Sequence, residues 1–175
     1  MLGMPKGQVL LAPWSLEWEE EYQNERDCIH SAIGPLMCAI HHIGSTAVRG
    51  LAAKPIIDIA IEIAFFDTGM QCIAGLERLG YSYKGTNVLP DRHYFSKGSP
   101  RTHQIHMYEE GNQYLLKQLA FRDCLRKEES VRQEYEDLKR TLAQKHRQDK
   151  LAYAEAKTDF INAVLAQLGY SVGNA

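Results

Sequence analysis

The run from Pro55 to Ile63 constrains the fold of this chain most, because isoleucine recurs there at every second position. Side chains alternate between the two faces of a strand, so the isoleucines share one face while Asp58, Ala60 and Glu62 share the other. A strand of this kind is typically buried in a sheet, where a carboxylate is costly unless it is paired, hydrogen-bonded or bound to a metal. We therefore expect the polar face to line a cleft, with Asp58 as its functional carboxylate.

The segments around this strand predict a mixed architecture. Residues from Met37 to Gly44 indicate a second buried strand, joined to the first by a loop that contains glycine. Two helices are predicted, one capped by Ser15 and ended by Gly34-Pro35, the other capped by Thr68 and ended by Gly80. A loop from Lys84 to Pro90 follows, and then a hairpin of Arg92 to Lys97 and His103 to Tyr108. Three amphipathic helices are predicted after Asn112. We predict one α+β domain over residues 1–175, with a small mixed β-sheet and flanking helices.

The composition is typical of a globular domain and argues against nucleic acid polymers and membranes as partners. The chain has 175 residues, of which 45% are apolar and 24% charged, as is typical of a globular domain with a packed core. A formal net charge of −2 gives no basic field for a nucleic acid polymer or an anionic membrane, so neither is an expected partner. The four cysteines form no CxxC pair, and no run of about 18 apolar residues occurs. We expect a soluble, cytoplasmic protein.

The loop between the two strands begins with Gly44-Ser45-Thr46. Backbone amides in such a turn can approach a ligand closely and can cradle phosphate oxygens. The same composition is common in ordinary structural turns, which is the competing interpretation. Asp58, thirteen residues beyond Ser45, favours the phosphate-binding interpretation because it adds an acidic group near the turn.

Several motifs stand in an order that resembles a known family. They are His42-Ile43-Gly44-Ser45-Thr46-Ala47-Val48, Gly50-Leu51, Lys54-Pro55-Ile56-Ile57-Asp58 and Phe121-Arg122-Asp123-Cys124-Leu125. Together they resemble the GrpB family, whose fold is similar to the nucleotidyltransferase superfamily. The resemblance implies a small mixed sheet with flanking helices, a Gly-Ser phosphate-binding turn and an acidic site on the following strand. It implies no settled reaction, although GrpB-like domains fused behind dephospho-coenzyme A kinases suggest assistance in folding.

The acidic site departs from the nucleotidyltransferase pattern. Those enzymes place two acids at i and i+2 on one strand to hold Mg²⁺, with a third acid on a neighbouring strand. Here position i+2 is Ala60, and Glu62 lies about 13 Å along the strand from Asp58. The predicted neighbouring strand offers His103 or His106 in place of an acid. A two-metal site is therefore not expected, while one Mg²⁺ at Asp58, a different metal or none stay open.

Basic side chains complete the candidate site. Lys54 can neutralise a phosphate or pair with Asp58, and Arg92 can clamp an anion or be an exposed hairpin charge. Arg122 can reach the cleft or form an internal ion pair with Asp123. The lysines of the last helices, Lys139 and Lys157, are interpreted as solvated charges on packed helices.

The histidines divide between site and scaffold. The family motif favours a site role for His42 over a structural histidine in the core, and His41 on the opposite face is expected to be incidental. His103 and His106 are three residues apart, which in a strand places them on opposite faces. They are therefore not expected to bind one metal together.

Three functions follow from these residues. The leading hypothesis is a domain that binds a nucleotide or phosphorylated small molecule, with nucleotidyl or phosphoryl transfer to a small acceptor. The second is a non-catalytic module that binds or assists another protein related to coenzyme A synthesis. The alanine at position 60, where an acid would be needed for catalysis with a metal, favours this second hypothesis. The third is a metal-dependent hydrolase built from His42, Asp58 and His106. The sequence leaves open whether the chain is an enzyme.

Overall fold

In the part of the chain that the structure describes, five strands form one sheet with helices on both faces. The strands are β1 (Ala39–Ile43), β2 (Ile57–Ile63), β3 (Tyr81–Tyr83), β4 (Arg92–Lys97) and β5 (His103–Glu109), in the spatial order β1-β2-β5-β4-β3. The helices are α1 (Leu16–Ile33), α2 (Thr68–Arg78), α3 (Gln113–Lys127), α4 (Glu129–Lys145), α5 (Lys150–Glu155) and α6 (Thr158–Gln167). This computed structural model describes residues 2–3, 9–86 and 91–171, with Lys150 by its backbone alone. The predicted α+β class with a small mixed sheet is confirmed.

The register of the sheet decides which side chains share the polar face of β2. Strands β2 and β5 are parallel, and they pair Asp58 with Gln104, Ala60 with His106 and Glu62 with Tyr108. The other neighbours are antiparallel, including the predicted hairpin of β4 and β5. The polar faces of β2, β4 and β5 therefore form one continuous surface.

The isoleucines of β2 form the centre of the core. Ile57, Ile59, Ile61 and Ile63 are each 0% exposed and pack in one cluster with side chains of α1 and α2. Full burial of one such side chain contributes roughly 1.5–3 kcal/mol, so this face fixes the strand in the sheet. Helix α1 begins where predicted, since the Ser15 hydroxyl accepts a hydrogen bond from the Glu17 N–H at 3.2 Å.

The opposite face of the sheet is covered only in part. Leu115 of α3 packs against Ile43, Ala60 and Tyr108. The last helices form a separate cluster around Val48, which lies in the loop between β1 and β2. A cleft is left between this loop and the helices.

Three local predictions need correction. The last predicted helix is two helices, α5 and α6, which are interrupted at Ala156-Lys157. Thr68 is the first residue of α2 and not its cap, because Asp67 holds the cap position and makes no side-chain capping bond. The short edge strand β3 was not predicted, since Tyr81–Tyr83 is too brief for periodicity to reveal. Residues 87–90 of the predicted loop from Lys84 to Pro90 lie outside the described residues.

Among the described residues, no helix combines the length and apolarity that crossing a membrane requires. The four cysteines are free thiols.

Candidate functional site

Asp58 is held from two sides on the polar face of β2. The Gln104 amide donates to Oδ1 at 2.7 Å, and His106 Nε2 lies 3.7 Å from the same oxygen. The other oxygen, Oδ2, faces Gly44, where a Cβ would lie only 2.7 Å from it. The Asp58 side chain is 26% exposed. The carboxylate is thus oriented by the protein and still open to a ligand.

Arg92 orients the histidine beside Asp58. Its Nη1 lies 2.9 Å from His106 Nδ1, and because a guanidinium can only donate, Nδ1 is the acceptor. The neutral ring then carries its proton on Nε2, on the side of Asp58. Arg92 is 7% exposed, and its guanidinium lies 5.0 Å from the centroid of the Tyr94 ring. The alternative of an exposed hairpin charge is therefore wrong for Arg92.

Gln104 occupies the place on the neighbouring strand where a third acid would stand. Its Oε1 accepts hydrogen bonds from the Tyr94 hydroxyl and, at 3.2 Å, from Arg101 Nη1. The amide NH₂ is thereby directed to Asp58. The residues predicted for this place were His103 or His106, and Gln104 was not predicted, although strand alternation puts Gln104 and His106 on one face.

The turn after β1 has a backbone that only glycine adopts readily. Gly44 has φ +71° and ψ −174°, and the short 3₁₀ turn Ser45–Ala47 follows it. No side chain caps the start of this turn. Gly44 is exposed and Ser45 half-buried, so both meet the cleft described below.

Thr46 and His42 support this turn from inside the fold. The Thr46 hydroxyl donates to the Ile56 carbonyl at 3.3 Å and accepts from His42 Nε2 at 3.0 Å. The His42 ring stacks on Tyr22 at 4.4 Å, and burial lowers the pKa of His42 to about 4. The Thr46 hydroxyl is thus committed to the fold, and a phosphate contact of Thr46 through its backbone amide stays a prediction. His42 is a neutral core histidine on the α1 side of the sheet.

His41 and Glu62 form a separate pair. His41 Nε2 lies 2.6 Å from Glu62 Oε1, at the end of β2 away from the Gly-Ser turn. As expected, His41 points away from the face of His42, and the register places it opposite Ala60 on the polar face, while its incidental role stays a prediction. Glu62, as the strand spacing indicated, does not join Asp58.

Arg122 satisfies both of its predicted roles. Its Nη1 donates to the His42 carbonyl at 2.9 Å, and its Nε donates to Asp123 Oδ1 at 2.8 Å. The internal ion pair therefore holds the guanidinium beside the Gly-Ser turn, where it lines the cleft.

Two ammonium groups share one aromatic ring near Asp58. Lys54 Nζ and Lys157 Nζ each lie 4.4 Å from the centroid of Tyr153. Burial, followed by the charge of Lys54, lowers the pKa of Lys157 to about 8, and the charge of Asp58 opposes this shift. Interpretation of Lys157 as a solvated lysine is therefore wrong. Its sequence signal was the spacing of Tyr153 and Lys157, which resembles ordinary helix packing.

Lys139 is buried behind this pair. It is 1% exposed, and its ammonium donates to the Ala52 carbonyl. Burial, with the charge of Lys157 as the next influence, lowers the pKa of Lys139 to about 7. The ammonium groups of Lys54, Lys157 and Lys139 thus lie close enough for the charge of one to affect the pKa of the next.

A cleft of about 960 Å³ opens between the Gly44-Ser45 turn and helices α3, α4 and α6. Its wall includes the basic residues Lys117 and Arg122 and the polar residues Thr158 and Asn162, and none of the described residues that line it is acidic. Its apolar wall includes Phe121. The cleft can therefore take a ligand that is anionic at one end and flat or apolar at the other.

The donor set near Asp58 does not fit two metal ions. Among the residues that the structure describes, Asp58 belongs to no group of three His, Cys, Asp or Glu side chains able to hold an ion. Ala60 and Gln104 stand where two further acids would be needed. One Mg²⁺ fits with Asp58 as its protein ligand, since this ion commonly uses one carboxylate together with phosphates and waters.

Comparison with solved structures supports the architecture. The crystal structure of conserved protein GrpB from Enterococcus faecalis matches with a TM-score of 0.82 and 31% identity, over 92% of this chain and 100% of that chain. Cid1, solved in complex with its short product ApU, matches with a TM-score of 0.52 and 14% identity, over 73% of this chain and 41% of that chain. The second likeness shows a shared nucleotidyltransferase-like fold alone.

Sequence comparison gives the relationship directly. Protein YqkA of Bacillus subtilis is 39% identical over 158 residues, which cover 90% of this chain and 46% of YqkA, so the chain spans about half of that relative. Glutamate-rich protein GrpB of Alkalihalophilus pseudofirmus is 30% identical over 174 residues, which cover 96% of this chain and 100% of that protein. A family model described as GrpB protein matches residues 8–167. With the Gly-Ser turn and Asp58 inside that match, the chain belongs to the GrpB family.

Proposed function

We propose that this chain binds a nucleotide or another phosphorylated small molecule beside the Gly44-Ser45 turn. We further propose that any group it transfers is a nucleotidyl or phosphoryl group that passes to a small acceptor. The observation that carries the proposal is the pair of ammonium groups, Lys54 and Lys157, on the ring of Tyr153, within the electrostatic influence of Asp58.

The lowered pKa of Lys157 favours an anionic ligand beside its ammonium group. Two cations that share a buried ring repel each other, and this repulsion contributes to the lowered pKa of Lys157. A phosphate bound beside both ammonium groups would offset the repulsion and raise that pKa again. Arg122 and the open start of the turn at Ser45 line the adjoining cleft, and Gly44 of the same turn contacts Asp58.

Asp58 is placed to bind a metal ion that accompanies a phosphorylated ligand. Its carboxylate is oriented by Gln104 and by the pair of Arg92 and His106. We propose that Mg²⁺ arrives with the phosphates and takes Asp58 as its protein ligand. When bound, such an ion offsets negative charge on phosphoryl oxygens.

A thermal-shift measurement tests the proposal directly. Purified protein is screened against nucleoside triphosphates and anionic metabolites, each with and without Mg²⁺, because a ligand of the native state must raise its apparent stability. At a concentration of 100 Kd, the expected rise in melting temperature is about 5–10 °C. Lys157→Met and Asp58→Asn are expected to abolish the shift. Lys127→Met, an exposed lysine at the end of α3, is the matched control and keeps it.

A second candidate is a non-catalytic module that binds or assists another protein, as the domain context of the family suggests. The small side chain of Ala60, where an acid would complete a metal site, favours this candidate. If no nucleotide or anionic metabolite shifts the melting temperature, the phosphate-binding proposal fails and this candidate takes its place. A pull-down that then returns no stable partner would count against it too. Both candidates carry forward the expectation of a cytoplasmic location.

A further inference from the structure

A second cluster of charged residues lies on the opposite face of the sheet, between α1 and β5. Glu21 and Glu25 are four residues apart on α1, so their side chains lie on the same face of the helix. His103, the first residue of β5, faces them from the sheet. One ligand atom from each of the three lies within 4.8 Å of the others. The cluster is distinct from the phosphate site and does not depend on it.

Hydrogen bonds fix the tautomer of His103. The Thr102 hydroxyl donates to the Lys97 carbonyl at 3.3 Å, so its oxygen accepts the bond of 2.9 Å from His103 Nδ1. The ring proton is therefore on Nδ1, and Nε2 presents a lone pair. Burial lowers the pKa of His103, which favours this neutral ring.

The lone pair of Nε2 has no hydrogen-bond partner among the described residues, although His103 is only 3% exposed. The atom that it faces is Glu21 Oε1 at 3.3 Å, which is another acceptor. Two acceptors in contact, one of them buried, require either a proton on Nε2 or a cation between them or nearby. The nearby cation, Lys97, is bonded to both oxygens of Glu25 at 2.9 Å. Lys97 therefore neutralises Glu25, and it does not supply a cation to the contact between Glu21 Oε1 and the lone pair of His103 Nε2.

We propose that Glu21, Glu25 and His103 bind one divalent transition-metal ion. Two carboxylates and one imidazole nitrogen suit Zn²⁺ and related first-row ions better than Mg²⁺, which prefers oxygen ligands. Thr102 supplies the partner on the far nitrogen that metal-bound histidines commonly have. The Glu21 side chain is 38% exposed and gives the ion a path from solvent. Bound metal would tie α1 to the start of β5.

Zn²⁺ titration of chelator-treated protein by calorimetry tests the site. We expect one ion per chain and a higher melting temperature in the metal-bound protein. Glu21→Gln keeps the shape of a half-exposed side chain and should weaken binding at least tenfold. Thr102→Val removes the outer hydrogen bond and should weaken it about 10–100-fold. His30→Gln, an exposed histidine on the same helix, is the matched control and should leave the affinity unchanged.

Two further results decide between this site and its alternatives. Co²⁺ in place of Zn²⁺ should give visible absorption bands that Glu21→Gln alters and Asp58→Asn does not, which separates this site from the phosphate cleft. Absence of Zn²⁺ binding, or equal binding by wild type, Glu21→Gln and Thr102→Val, would overturn the proposal and identify the cluster as an ion-pair network.

Discussion

Replacement of Gly44 by alanine tests how tightly the Gly-Ser turn packs against Asp58. Gly44 has φ +71° and ψ −174°, a region in which an L residue costs about 1–3 kcal/mol. The new Cβ would also lie 2.7 Å from Asp58 Oδ2, closer than such atoms approach in real proteins. Forced overpacking of this kind costs about 1–3 kcal/mol more. We expect Gly44→Ala to lower the free energy of unfolding by about 2–6 kcal/mol in total.

Gly50 provides the matched control for backbone strain. It has φ +82°, and a Cβ there would meet nothing within 4 Å. Gly50→Ala should therefore cost only the backbone component, about 1–3 kcal/mol. The difference between Gly44→Ala and Gly50→Ala in the loss of unfolding free energy measures the cost of the contact between the new Cβ and Asp58.

The double variant with Asp58→Ala isolates that contact. Asp58→Ala removes the colliding oxygen, so the cost of Gly44→Ala should be about 1–3 kcal/mol smaller in the Asp58→Ala background. Urea denaturation at constant m-value gives the four free energies of unfolding. Equal costs for Gly44→Ala and Gly50→Ala, together with zero coupling to Asp58, would refute the reasoning.

Three further results are expected from the buried titratable groups. Burial lowers the pKa of Lys139 from 10.5 to about 7, so the unfolded state binds more protons between these values. Stability should therefore rise with pH above 7, and Lys139→Met should reduce the slope measured by denaturation at several pH values. The pKa of His42 is lowered from 6.5 to about 4, so stability should fall by about 3 kcal/mol as pH drops through that window. His42→Gln should remove this share of the acid sensitivity, and unchanged sensitivity would contradict a neutral buried ring. Finally, an alkylating reagent followed by mass spectrometry should label exposed Cys28 and Cys38 in the native protein, while buried Cys72, with its pKa raised to about 11, reacts only after unfolding.

Local patterns were sufficient to identify the centre of the candidate site. Asp58 stands out in the sequence because a carboxylate among alternating isoleucines needs a specific partner or ligand. Gly44 stands out because it precedes two hydroxyl residues at the end of a strand. Both inferences use neighbours within a few residues, which is the range over which side-chain periodicity carries information.

The partners of Asp58 could not be predicted in the same way. Gln104 and His106 reach it only because β2 and β5 pair in parallel, across 46 residues in the case of Gln104. Lys157 reaches the same region from the turn between α5 and α6. No local pattern distinguishes this lysine from a solvated one, because its burial depends on how α5 and α6 pack.

The two histidines of β1 show where sequence and tertiary structure divide. The sequence by itself determined that a strand lies there, that His41 and His42 point to opposite faces, and that Asp58 shares its strand face with Glu62. Only the tertiary structure decided which histidine joins that polar face. Because Ile40 and Ile43 make both faces of β1 apolar, its periodicity does not identify the core side, and the antiparallel register with β2 places His41 on the polar face.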